Sequence, residues 1–78
     1  MMNSEPSYLE LLERLNYNDE INFFYNGEEY WISRSDNEVY LTKCANAYTV
    51  VFTDNMDLLN NARIDGKTIK MIWPYVEF

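Results

Sequence analysis

The stretch Ile21-Asn22-Phe23-Phe24-Tyr25-Asn26-Gly27-Glu28-Glu29-Tyr30-Trp31-Ile32 decides the fold. Apolar and polar residues alternate on both sides of Asn26-Gly27, the period of a half-buried strand. Asn-Gly is the strongest short hairpin signal, because a type I′ turn needs positive φ at both central residues. A two-residue turn pairs Tyr25 with Glu28, Phe23 with Tyr30 and Ile21 with Ile32. Phe23, Tyr30, Ile21 and Ile32 then share one face, as a hairpin with one buried side requires.

The pattern continues downstream. Asp36-Asn37 predicts a second turn that sets Ile32 opposite Leu41, with a third strand over residues 38–43. Cys44, Ala45, Asn46 and Ala47 form a connecting loop, and Tyr48, Val50 and Phe52 start the alternation again. Leu41 then faces Val50, and Val39 faces Phe52. Three consecutive registers place apolar residues on one face, so the expected sheet is a four-stranded antiparallel meander.

Helices are expected on either side of it. Ser4, Glu5, Pro6 and Ser7 supply capping residues and a first-turn proline. Ser7 with Glu10 fits a capping box, and Tyr8, Leu11, Leu12 and Leu15 form an apolar stripe that Asn16–Asn18 ends. Asp54 predicts the cap of a second short helix, with Asp57 in its first turn and Met56, Leu59 and Ala62 facing inward. Asp65-Gly66 is a turn; residues 68–73 predict a last helical turn or two, closed by Pro74. The apolar tail Tyr75–Phe78 is expected to extend along a sheet edge. Together these elements predict an α+β fold: one two-layer domain over residues 1–78.

Size and composition narrow the chemistry. A chain of 78 residues buries only about 60% of its unfolded surface, so its core must use large side chains. Phe, Trp and Tyr make up thirteen residues, each burying about 150–250 Å² when enclosed. The single Cys44 permits no internal disulfide, which favours a reducing cytoplasm; no apolar run reaches signal-peptide or membrane-spanning length. Histidine is absent, which removes the commonest general base and metal ligand. With one cysteine and two glycines, zinc clusters and glycine-rich phosphate loops are excluded too. The sequence therefore predicts no enzyme and no cofactor.

Charge points to a partner. Thirteen carboxylates against six basic residues leave a net charge of −7, which repels nucleic acid and anionic lipid and attracts basic surfaces. The meander gathers Asp19, Glu20, Asp36, Glu38, Asp54 and Asp57 near one end of the sheet. Turns and helix starts favour such residues anyway, so the cluster also has a purely structural explanation. It cannot copy a whole DNA duplex, whose ~20 Å of axis carries about twelve charges.

The sheet face opposite the core carries Asn22, Phe24, Trp31, Tyr40, Thr42, Thr49 and Val51. A water-facing sheet side is normally polar. Phe24, Trp31 and Tyr40 are therefore either a binding patch or residues covered by the N-terminal helix or the C-terminal tail. Arg63, Lys67 and Lys70 form a modest basic spot read as a solvated helix face, and Cys44 an unreactive loop thiol.

Two segments, Phe24–Ile32 and Asp65–Trp73, carry a resemblance. With an aromatic-Asn-Gly hairpin early and a "DGK…IW" segment late, the chain resembles small acidic uncharacterised proteins of low-GC Gram-positive bacteria and their phages. The resemblance implies a bacterial or mobile-element setting and carries no activity.

Two functions are expected from these features. In the first, the chain is an interaction module whose six acidic residues steer it to a basic protein surface, with Trp31 and Tyr40 as anchors. A phage inhibitor of a host nucleic-acid enzyme, an anti-CRISPR protein included, is the specific form. It would bind neither nucleic acid directly nor membrane. In the second, the chain is a structural or regulatory bacterial protein that forms a homodimer through its aromatic face.

Overall fold

A computed structural model describes residues 7–78. The capping residues Ser4, Glu5 and Pro6 lie outside them. Helix α1 (Tyr8–Asn16) leads into strands β1 (Ile21–Tyr25), β2 (Glu28–Arg34), β3 (Val39–Lys43) and β4 (Tyr48–Phe52). Helices α2 (Asn55–Asn61) and α3 (Ile69–Ile72) follow, and a 3-10 turn at Trp73–Tyr75 leads to the C-terminal tail.

Local chemistry explains each boundary. Ser7 Oγ accepts the Glu10 amide at 3.3 Å and starts α1. Its end is marked by Asn18 in the left-handed region (φ 62°), with the Asn18 amide returned to Leu15 O at 3.0 Å. Asn26 (φ 52°) and Gly27 (φ 76°) form the β1–β2 turn with both central residues at positive φ. The Ser35 amide donates to Glu38 O at 3.0 Å across Asp36-Asn37. Ala47 (φ 54°) turns the chain into β4, whose first amide is held by Asn46 Oδ1 at 3.2 Å.

The strands pair in the order β1-β2-β3-β4, all antiparallel. Phe23 lies opposite Tyr30, Ile32 opposite Leu41, and Val39 opposite Phe52, as the alternation predicts. The helices cover one face, giving the predicted two-layer α+β architecture. Between the layers lie Leu11 and Leu15 of α1, Leu58 of α2, Ile69 and Ile72 of α3, and Trp73, all at most 2% exposed. The Phe23 ring stacks on Tyr30 at 5.5 Å and meets the Trp73 edge at 5.1 Å, which ties the hairpin to the C-terminal turn. The tail does run along a sheet edge: Glu77 bridges Phe24 on the outer side of β1.

Two expectations need correction. In α2 the buried residues are Leu58 and, just after the helix, Ala62; Leu59 is only partly buried and Met56 is exposed. Residues 56, 59 and 62 lie three apart, but Leu58 and Ala62 are four apart, and a seven-residue helix is too short to choose by periodicity. On β4, Val50 shares the core face with Leu41 yet is 37% exposed, and Tyr48 is 63% exposed. Only Phe52 of that strand is buried. The helical layer stops short there, because α2 leaves the sheet from the Phe52 end and is only seven residues long.

Candidate functional site: an acidic end beside an open aromatic face

Three loops meet at one end of the sheet: the α1–β1 link, the β2–β3 turn and the β4–α2 link. Between them lies a polar concavity of about 490 Å³, lined by Asn18, Arg34, Ser35, Asp36, Asn37, Glu38, Val39, Thr53, Asp54 and Asn55. Of the six acidic residues singled out in the sequence, Asp36, Glu38 and Asp54 line this concavity, and Asp19, Glu20 and Asp57 do not.

The six also differ in what they are already doing. Asp54 caps α2 through Oδ1, which accepts the Asp57 amide at 2.8 Å. Asp57 is the most engaged. Its carboxylate accepts the Thr53 amide at 2.9 Å, the Thr53 hydroxyl at 3.3 Å and the Asn61 amide at 2.6 Å. The Thr53 amide first and the Asn61 side chain second hold its pKa below the usual carboxylate value. Asp19 pairs with Arg14 at 3.5 Å, and the same guanidinium donates to Glu20 O at 3.3 Å. Asp36 and the Glu20 carboxylate make no hydrogen bond or ion pair among the described residues. They are the acids most available to a partner.

Glu38 connects the two predicted surfaces. Its Oε1 accepts the Tyr40 hydroxyl at 2.9 Å, and that hydroxyl is 3.1 Å from Ser35 Oγ. Tyr40 lies in the row Ser33–Tyr40–Val51 on the sheet side opposite the helices. The next row is Asn22–Trp31–Thr42–Thr49, closed by a 2.8 Å hydroxyl contact between Thr42 and Thr49. Among the described residues no helix or tail segment covers this face. Trp31 is 40% exposed, Phe24 37% and Val51 52%. Of the two alternatives for the aromatic residues, the described chain leaves them open.

Arg34 is the residue that sequence reasoning missed. It follows Ile32 on the core-facing side of β2 and forms part of the concavity wall. Its Nη1 donates to Asn18 Oδ1 at 3.4 Å, while Nε and Nη2 are buried with no partner among the described residues; Asn55 Oδ1, also on the wall, is in the same condition. The alternation Tyr30, Ile32, Arg34 was the available signal, since it puts a cation on an otherwise apolar face.

Other chemistry is limited. Among the described residues no three His, Cys, Asp or Glu side chains gather closely enough to hold a metal ion. Burial first, and the Glu29 carboxylate second, push the Cys44 thiol pKa up, away from a reactive thiolate. The basic spot serves the fold: Arg63 Nη1 closes the end of α2 on Asn60 O and Ala62 O, and Lys70 Nζ sits 5.8 Å from the Tyr8 ring centroid. No described helix is long and apolar enough to cross a membrane.

Comparison with known proteins returned no matching family, no matching curated protein and no matching solved structure.

Proposed function

We propose that this chain is a protein-interaction module that docks its acidic end onto a basic surface of another protein. The observation that carries this reading is the concavity whose wall includes Asp36, Glu38 and Asp54, joined by the Glu38–Tyr40 hydrogen bond to the exposed aromatic face. Charge at such an end steers encounter, and exposed aromatics such as Trp31 supply the apolar contact that steering alone lacks. Asp36 and Glu20 are free to pair with a partner's cations; Asp54 and Asp57 contribute field while keeping their capping role.

The specific form is an inhibitor, from a phage or other mobile element, of a host protein that handles nucleic acid, such as a CRISPR effector. A surface built to hold phosphates is strongly basic, and a net charge of −7 suits it. No catalytic role is proposed, because the acids at this end are hydrogen-bonded caps and turn residues rather than converging acids held in an apolar setting.

Affinity capture from a bacterial lysate, repeated across salt concentrations, tests the proposal. The expected result is one basic protein retained at low salt and lost steeply as salt rises. The double variant Asp36→Lys, Glu38→Lys should release it. Undiminished capture by that variant would sink the assignment.

A further inference from the structure

The two edges of the sheet are treated differently. On β1, Phe24 and Glu77 exchange backbone hydrogen bonds, so the chain's own tail closes that edge. On β4, the last strand in the order, no described segment pairs with the outer side. Natural proteins protect such edges with charge, proline or a bulge. Tyr48-Thr49-Val50-Val51-Phe52 has no charged residue and no proline, and its register with β3 is unbroken.

The phase of the ladder identifies the free groups. Antiparallel strands alternate hydrogen-bonded and non-bonded pairs. The Ser35–Glu38 bond starts the β2–β3 ladder, so the bonded pairs run through Ser33–Tyr40 and Trp31–Thr42. Val39, Leu41 and Lys43 then bond outward to Phe52, Val50 and Tyr48. The amides and carbonyls of Thr49 and Val51 are left pointing away from the sheet. Both residues are exposed.

We propose that this edge pairs with the same edge of a second copy, β4 antiparallel to β4, about a two-fold axis at Val50. In that register Thr49 and Val51 of one copy exchange backbone bonds with Val51 and Thr49 of the other. Val50 meets Val50 as the close, non-bonded pair, and Tyr48 lies opposite Phe52. Every cross-strand pair is uncharged, and the two sheets join into one continuous sheet.

Charge selects a second copy in this orientation. The Tyr48 end of the strand adjoins Lys43 and Arg63, which with Asp65 line the groove of about 210 Å³ beneath Tyr48 and Val50. The Phe52 end leads directly into Asp54 and Asp57. Antiparallel pairing sets the Lys43–Arg63 end of each copy beside the Asp54–Asp57 end of the other. Parallel pairing would set the two acidic ends side by side. The uncharged strand is also where two molecules of charge −7 can approach with least repulsion. The side chains of Thr49 and Val51 border the aromatic face, but the pairing uses their edge-facing backbone groups and depends on neither that face nor the acidic-end proposal.

Sedimentation of the purified full chain across the micromolar range, with two variants, tests the pairing. The wild-type chain should shift from one to two chain masses as concentration rises. Val51→Pro removes an outward amide without touching the β3–β4 bonds, so it should fold as before by circular dichroism and raise the dissociation constant by more than about tenfold. Val50→Lys sets two like charges at the axis and should weaken pairing in a way that added salt partly restores. If Val51→Pro fails to fold, Val50→Lys decides. A wild-type chain that stays monomeric overturns the proposal, including the case in which only a foreign strand occupies the edge. A dimer indifferent to both folded variants overturns it as well, and points to the aromatic face.

Discussion

Phe24 and Glu77 hold each other by a reciprocal pair of backbone hydrogen bonds, 2.7 Å from the Phe24 amide and 2.8 Å from the Glu77 amide. The last residues of the chain thereby become a fragment of fifth strand. Val76 is buried beside this bridge, and the Phe78 ring stands edge-on to Trp73 at 5.8 Å. Removing residues 76–78 should therefore cost stability, about 1.5–3 kcal/mol from Val76 alone. It should also open a second sheet edge. Thermal unfolding should show a lower midpoint, and light scattering should show faster aggregation of the truncated chain.

The face of α2 can be tested by truncation. Leu58 is fully buried and Met56 is 62% exposed. Leu58→Ala should cost about 2–5 kcal/mol in urea denaturation. Met56→Ala should stay within about 0.5 kcal/mol. Equal effects would mean that α2 packs on the other stripe.

The first hairpin turn depends on backbone rather than space. Gly27 has φ 76°, and a methyl group there would meet nothing within 4 Å. Gly27→Ala should cost about 1–2 kcal/mol, the ordinary penalty for an L-residue in the left-handed region. A fully neutral substitution would mean that the turn relaxes to another type.

Arg34 is expected to weaken the fold rather than support it. Its Nε and Nη2 are buried without partners among the described residues. Two buried donors without a partner carry a desolvation cost that an apolar side chain of similar length avoids, so its replacement should be neutral or stabilising. Arg34→Met should unfold at the same or higher urea concentration. A loss above about 2 kcal/mol would show that the guanidinium contributes bonds absent from this geometry.

Asp57 sets a sign for pH dependence. Its folded pKa lies below the ordinary value of 3.8, through the Thr53 amide and Asn61. The unfolded chain therefore takes up a proton more readily than the folded one as pH falls. The stabilisation from this group is complete above the unfolded value and is lost as pH falls through the folded one. Asp57→Asn should lower stability at neutral pH, and the gap from wild type should narrow progressively below about pH 4. A gap that stays constant through that acid range would remove Asp57 from the pH response.

The strand pairings were legible because each depended on neighbours in sequence. Asn26-Gly27 fixes one turn, and the alternation of Phe23, Tyr30, Ile32 and Leu41 leaves only one register that hides them together. The face of α2 was not legible, since Met56–Leu59–Ala62 and Leu58–Ala62 both fit a helix of seven residues. At the acidic end, residue numbers alone brought Asp36, Glu38 and Asp54 together. They could not show that Asp57 is occupied by Thr53 and Asn61, or that Arg34 forms part of the wall.

Local backbone preference and the two-residue period of strands are properties of short stretches, so the sequence by itself determined the meander, its registers and the residues facing each side. How far the helical layer reaches across that sheet depends on where α1, α2 and the Trp73 turn come to rest, and those contacts join residues far apart in the chain. Tertiary packing alone therefore decided that Val50 and Tyr48 stand uncovered, that Trp31 faces outward unshielded by any described segment, and that the C-terminal tail closes one sheet edge while no described segment pairs with the other.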